Sequence, residues 1–302
     1  MIERLSAEVV GRSREIDLVV AALAADRHML LEGPPGTGKS TLLRAVADAL
    51  GIGFEFVEGN AELTPARLIG HFDPARVLAE GYDPAVFVDG PLVAALRNGS
   101  LLYLEELNRV PEETLNVLVS VMSEREIAVP RLGRVSAEPG FRLVAAMNPF
   151  DAIGTARISS AIYDRVCRLA VGYQGAEDEV AITVRHQPAV DPVWAAKTVD
   201  LVRRTRDHAD IRIGSSVRGS IDMCAVATAL AEVRDASIED RTVSLDAALV
   251  SLSGRIRVRE GINRDAESII TELWHDVFEP ADGVEVDPAK KVAAPSGATP
   301  VA

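Results

Sequence analysis

The chain has 302 residues, 48% hydrophobic and 25% charged, enough for two ordinary globular domains and unlike a disordered or fibrous composition. No apolar run reaches the ~18 residues needed to span a bilayer, and the N-terminal MIERLSAEVVGRSRE lacks the apolar core of a secretory signal, so a cytoplasmic location is expected. The net charge of −13 lacks the basic footprint of a duplex-binding protein. Expected partners are therefore nucleotide and protein rather than nucleic acid.

In chain order, HMLLEG (28–33) predicts a strand, followed by a Gly-rich turn and a helix over STLLRAVADAL, where Leu42, Leu43, Val46, Ala49 and Leu50 recur at helical spacing. FEFVEG (54–59) predicts a second strand. The stretch 64–90 reads as an insertion, and GPLVAALRNG (90–99) as a helix with Pro91 in its first turn and Asn98-Gly99 at its end. SLLYLEE (100–106) predicts a third strand and PEETLNVLVSVMSERE (111–126) a helix opened by early acids. IAVPRLGRVSAEPG predicts a hairpin, with Pro130 suited to an edge. FRLVAAMNP (141–149) and VCRLAVGY (166–173) supply the last two strands.

Strands separated by helices predict an α/β domain with a central parallel sheet. From about 175 the pattern becomes helical without convincing strands, in AEDEVAITVRHQ, DPVWAAKTVDLVRRTRDHA, GSIDMCAVATALAEVRD and SLDAALVSLSGRIRV. The expected division is 1–175 (α/β), 176–279 (a small helical domain) and 280–302, a Pro-, Ala- and Gly-rich tail expected to be disordered. Cys167 and Cys224 have no metal-ligand spacing and are expected as buried thiols.

Gly33-Pro34-Pro35-Gly36-Thr37-Gly38-Lys39-Ser40 matches the phosphate-binding pattern G-x-x-x-x-G-K-[ST], after a predicted strand and opening a predicted helix. Its glycines let consecutive backbone N–H groups face a phosphate at a helix N-terminus. Lys39 would reach the β- and γ-phosphates and the Ser40 hydroxyl would ligate Mg²⁺, with Thr41 next in the loop; ATP and Mg²⁺ are the expected cofactors.

Glu105-Glu106 ends an apolar strand. Paired acids at such a place are either a solvated strand end or, beside a P-loop, a metal-holding acid (Glu105) and an acid beside the attacking water (Glu106). Asn148, at the mouth of the fourth strand and before Pro149, either positions water near the γ-phosphate or starts a turn.

The order of these motifs resembles that of AAA+ ATPases, and more narrowly the MoxR family, over roughly residues 8–260. The resemblance rests on VVGRSREID, LLEGPPGTGKS, GPLVAALRNGSLLYLEELNRVPEETLNVLVSVMSEREIAV, LVAAMNPFDAIGT, AIYDRV and GSSVRGS. It implies a P-loop AAA+ domain followed by a helical lid, and a hexameric or otherwise ring-forming assembly with nucleotide bound between subunits. It further implies that Glu106 is the Walker B glutamate and Asn148 the sensor 1 residue. Arg165 in DRV takes the place of the arginine finger offered to the neighbouring subunit, and Arg218 that of the sensor 2 arginine of the lid. Val10 and Gly11 line the adenine pocket on the same basis. Arginine suits both late roles because its planar fork stabilises charge spread over phosphate oxygens, whereas the common fate of a surface arginine is a solvated ion pair. Arg109, Arg157 and Arg168 are competitors for the trans contact.

The chain departs from the family pattern in three places. Glu105 stands where aspartate is usual, Val217 where proline usually precedes the lid arginine, and Val166 where an aromatic follows the finger. The first departure predicts slow turnover rather than lost nucleotide binding. The resemblance implies chaperone-like remodelling of a client, often in metal or cofactor insertion, with a separate partner that carries a von Willebrand factor A domain. The two inserted segments, 64–90 and the hairpin, are expected either to engage that client or to cap the sheet. A chelatase-type motor, an assembly scaffold of gas-vesicle type and a nucleic-acid motor are the alternatives on this branch.

Overall fold

The structure is a computed structural model and describes residues 5, 8–149 and 158–279. Arg157 and the tail 280–302, expected to be disordered, lie outside the described residues. Helix α1 (Ser13–Ala24) precedes strand β1 (His28–Glu32), helix α2 (Lys39–Leu50) and strand β2 (Phe54–Glu58). The insertion holds helix α3 (Pro65–Ile69), strand β3 (Gly70–Phe72), helix α4 (Pro74–Glu80) and strand β4 (Phe87–Asp89). Helix α5 (Pro91–Asn98), strand β5 (Leu101–Glu105) and helix α6 (Glu112–Glu124) follow. Strands β6 (Glu126–Val129) and β7 (Gly133–Ser136) make the expected hairpin, and strand β8 (Arg142–Met147), helix α7 (Ser160–Tyr163) and strand β9 (Val166–Ala170) complete the α/β part.

The main sheet is parallel, in the order β2-β5-β8-β1-β9. β1, β5 and β8 are central, which is why their sequences run apolar on both faces rather than alternating. One face packs Leu30, Leu102, Leu104, Leu143 and Ala145 against α5 and α6; the other packs Met29, Leu31, Tyr103, Val144 and Ala146 against α1 and α2. Pairing of Leu31 with Ala146 and of Leu104 with Ala145 brings the ends of β1, β5 and β8 to one edge. In open parallel sheets that carboxyl edge is where ligands sit.

The helical part comprises α8 (Ala176–His186), α9 (Pro192–Asp207), α10 (Val217–Arg234), α11 (Arg241–Leu252) and α12 (Ala266–Phe278) around a separate core centred on Trp194, Met223, Ala247 and Trp274. Two expectations need correction. A two-stranded antiparallel ribbon, β10 (Ile211–Ile213) with β11 (Arg257–Val258), lies in a region read as strandless. Its strands are too short to show alternation, and their pairing joins residues far apart in sequence. Cys224 is buried as expected, and burial pushes its thiol up to about 11. Cys167 is exposed, because β9 is an edge strand.

The two insertions touch. The Arg131 guanidinium lies 3.7 Å from the centre of the Tyr82 ring, and Tyr82 packs on Phe72, which in turn packs on Phe87. Among the described residues no helix is long and apolar enough to cross a membrane.

Candidate functional site

Between β1 and α2 the backbone must turn sharply, and Gly36 (φ 74°) and Gly38 (φ 79°) take left-handed conformations that favour glycine. Gly38 also serves as the N-cap of α2. Gly33 leaves β1 in close contact with the chain after β9: a Cβ there would lie 2.0 Å from the Val171 carbonyl oxygen. The loop is laced to itself, Thr37 Oγ1 donating to Pro34 O at 3.0 Å and Lys39 Nζ donating to the Gly33 and Pro34 carbonyls at 2.9 Å each. Burial pulls the Lys39 ammonium below its usual range, opposed by Glu105 and Glu106.

Glu105 and Glu106 occupy the carboxyl end of β5. Ser40 Oγ donates to Glu105 Oε1 at 2.9 Å and lies 3.2 Å from the Tyr103 hydroxyl. Burial raises the Tyr103 phenol above its usual range; the hydrogen bond with Ser40 opposes this, and Glu105 and Glu106 reinforce it. Glu106 has left-handed backbone (φ 54°), uncommon for a non-glycine residue. Its Oε2 is buried without a hydrogen bond, 3.4 Å from Arg109 Nε in an ion pair too poorly aligned to be one. Asn148 faces the same cleft, and its backbone carbonyl accepts from Asn108 Nδ2 at 3.4 Å.

One cavity of about 120 Å³ is lined by Gly36, Thr37, Gly38, Lys39, Ser40, Thr41, Glu105, Glu106, Asn148 and Arg218. Arg218 comes from the first turn of α10, so the helical part closes over the loop; a Cβ on Gly36 would meet Ser216 Oγ at 2.2 Å. A second cavity of about 360 Å³ shares Gly36, Gly38, Thr41 and Arg218 with the first and adds apolar walls from Val9, Val10, Ile182, Val217 and Ile221. Its shape and lining suit a nucleobase. Val10 stands there, whereas Gly11 (φ 70°) backs onto Asp178, where a Cβ would lie 2.5 Å from the carboxyl carbon.

Arg165 lies elsewhere. It precedes β9, at the sheet edge opposite the P-loop, beside a cleft of about 400 Å³ that includes Asp26, Arg27, Ser123, Arg125 and Cys167. Of its competitors, Arg168 is held at 2.5 Å by the buried Glu32 carboxylate, and Arg109 by Glu106.

Three residues had no sequence signal. Arg12, buried, donates to Thr37 O at 2.8 Å and Gly172 O at 2.6 Å and pairs with Glu15 at 2.8 Å. It ties the N-terminal segment to both the P-loop and the chain leading into the helical part. Gln174 is buried at the wall of the base-sized cavity. Glu179, fully enclosed, pairs with Arg203 at 3.1 Å and Arg206 at 2.8 Å across α8 and α9. Only contacts between segments distant in sequence reveal them.

The donor set fits a magnesium ion. Among the described residues no group of three or more His, Cys, Asp or Glu side chains forms a metal cage. A serine hydroxyl and one carboxylate in contact, at the start of a P-loop helix, suit an ion that keeps its waters and binds through phosphate oxygens.

Residues 28–166 match the AAA domain family, dynein-related subfamily. The chain is 28% identical over 314 residues to the uncharacterized protein YeaC of Bacillus subtilis, covering 92% of this chain and 93% of YeaC. It is 29% identical over 212 residues to an uncharacterized protein of Staphylococcus aureus, covering 68% and 80% of the two chains. Among solved structures, a putative ATPase from Cytophaga hutchinsonii superposes with a TM-score of 0.52 at 21% identity, over 91% of this chain and 92% of that one. The RuvB Holliday junction branch migration motor of Thermotoga maritima superposes with a TM-score of 0.52 at 18% identity, over 78% and 67%. The α/β part thus has the fold of an AAA+ domain and is followed by a helical part.

Proposed function

We propose, with the AAA domain of residues 28–166 as premise, that the chain is a MoxR-type ATPase that hydrolyses Mg-ATP at the interfaces of a homo-oligomeric, hexameric ring. The observation that carries this reading is the Ser40–Glu105 hydrogen bond at 2.9 Å, inside a cleft that also gathers Lys39, Glu106, Asn148 and Arg218. In this reading residues 1–175 bind the nucleotide and 176–279 form the lid.

Ser40 and Glu105 would hold Mg²⁺, which neutralises charge on the phosphates. The remaining work falls to the chain's own groups. Lys39, now bonded to two loop carbonyls, exchanges them for β- and γ-phosphate oxygens. The N–H groups of Gly36, Thr37, Gly38, Lys39 and Ser40 cradle the phosphates at the N-terminus of α2, and Thr41 borders the α-phosphate. Glu106, with a carboxylate oxygen lacking a hydrogen bond, orients the attacking water and takes its proton; Asn148 positions that water from the neighbouring strand. Arg218 clamps the phosphates from the lid, and Val10 borders the base while Gly11 lets its segment turn against the lid. Arg165 acts in trans, on the nucleotide of the adjacent subunit, because it lies on the sheet edge away from its own P-loop.

Closure of the lid on ATP and its release after hydrolysis would remodel or mature a client, together with a separate protein carrying a von Willebrand factor A domain, in the cytoplasm. Replacement of Glu106 with Gln tests the core of the reading: ATP binding is kept and turnover lost. A Glu106→Gln variant hydrolysing at the wild-type rate overturns it. The same variant, locked with ATP, is the bait for capturing the partner.

A further inference from the structure

The last turn of α6 carries Ser123, and Ser123 touches Arg165. Arg165 Nε donates to Ser123 Oγ at 2.6 Å, and Arg165 Nη1 donates to Ala161 O at 2.8 Å. The Ser123 hydroxyl has one proton, and that proton is committed to Val119 O one turn earlier, at 3.1 Å. Its oxygen therefore meets Arg165 only as an acceptor. Nη2 of Arg165 takes part in neither bond, and the Asp164 carboxylate is 3.9 Å from Nη1, beyond hydrogen-bond range. The Nε edge of the fork is thus pinned to the subunit's own surface, while about a third of the side chain stays exposed.

The support under Ser123 is rigid. α6 packs Leu115, Leu118, Val121 and Met122 into the core, and Thr114 Oγ1 donates to Leu63 O at 2.6 Å at its start. Its end is fastened by Arg125, which pairs with Asp26 at 3.1 Å, and Asp26 also pairs with Arg142 at the start of β8. α6 begins just after the turn that follows Glu106 and, at 13 residues, runs about 20 Å back along the sheet. An arginine on a flexible tether spends most of its time in other rotamers; one held at two nitrogens is preset.

We infer that Ser123 is a positioning residue for Arg165, fixing the guanidinium in the orientation it presents to the neighbouring subunit's nucleotide. This rests on the trans role proposed for Arg165, so the experiment separates the two. Lys39→Ala subunits, unable to hold triphosphate, are mixed with Arg165→Ala subunits, and ATP hydrolysis by the mixture is measured. If Arg165 acts in trans, the Lys39→Ala subunits supply the missing arginine and hydrolysis recovers. Lys39→Ala subunits that also carry Ser123→Ala should restore it about tenfold less well or worse, as expected for a misplaced catalytic group. Lys39→Ala subunits with Ser123→Thr, which keeps the acceptor, should restore it as the single variant does. Co-elution with the Arg165→Ala partner by size exclusion is the criterion for including each carrier, and the threonine carrier stands against the single variant if the alanine one does not assemble.

No recovery with the Lys39→Ala carrier overturns the trans reading of Arg165 itself. Recovery that is equal with and without Ser123→Ala overturns the role of Ser123 alone. A threonine carrier as poor as the alanine one overturns it too.

Discussion

Ser40 Oγ and Glu105 Oε1 lie 2.9 Å apart, joining the first turn of α2 to the end of β5. An aspartate, one methylene shorter, would stand back from the hydroxyl and leave room for a water. The longer arm of Glu105 reaches the serine itself. Glu105→Asp is therefore expected to raise kcat, and Glu105→Ala to raise the Mg²⁺ concentration needed for half-maximal hydrolysis by about 10–100-fold, the range for groups that orient metal ligands. Magnesium titrations of steady-state hydrolysis check both; an unchanged Mg²⁺ requirement in Glu105→Ala contradicts the assignment.

Arg12 donates to two carbonyls, Thr37 O in a buried bond and Gly172 O in a half-buried one. Arg12→Ala removes the donor from both and frees the P-loop from the chain entering the helical part. The expected loss is about 3 kcal/mol of folding stability, seen in denaturant melts, with weaker ATP binding. Arg12→Lys cannot reproduce the fork and should recover less than half of either.

At Gly36 a methyl group has nowhere to go. Gly36→Ala places a side chain at φ 74° and drives it into Ser216 at the start of α10. The backbone term alone costs about 1–2 kcal/mol, so ATP affinity should fall about tenfold or more, as read by titration with a fluorescent analogue. Adding Ser216→Gly should recover the part due to the clash and none of the part due to φ. Full recovery would show that the backbone carries no penalty.

His28 is a pH-sensitive element of the fold rather than of the site. Its Nδ1 accepts from the Leu143 N–H at 2.9 Å. Burial, reinforced by Arg125, Arg142 and Arg27 and opposed by Asp26, pushes it down to about 4 from 6.5. Between those values the unfolded chain binds the extra proton and the folded chain does not, so folding stability drops as pH falls from 6.5 toward 4. The loss is about 3 kcal/mol. Urea melts across this window should show the slope in wild type and a flatter one in His28→Gln. Asp26, whose burial is outweighed by Arg142 and Arg125 so that it is held below its usual 3.8, keeps its stabilising contribution throughout this window and loses it only at lower pH.

The parts legible in the sequence were those written locally. Glycines, lysine and serine of the P-loop are contiguous, Glu105-Glu106 closes an apolar run, and Pro91, Gly99 and Pro111 punctuate α5 and α6. The parallel sheet followed because strands and helices alternate. What stayed hidden depends on distant contacts. Arg12 is buried by residues 25 and 160 positions away, and Cys167 is exposed because β9 has no neighbour on one side. The β10–β11 ribbon pairs segments of three and two residues, too short to show a period although their Ile and Val favour strand. Nothing in the spelling of Ser123 distinguishes it from any other helix serine; only α6 returning to the edge where Arg165 sits makes the pair.

Glu106 bears a cost that no substitution of its carboxylate alone would reveal. Its backbone sits at φ 54°, where an ordinary residue is strained by about 1–2 kcal/mol and glycine is not. Glu106→Gln keeps the strain and Glu106→Gly removes it. The glycine form should thus melt at higher temperature than the wild type while remaining inert toward ATP, a position at which selection has preferred chemistry to durability.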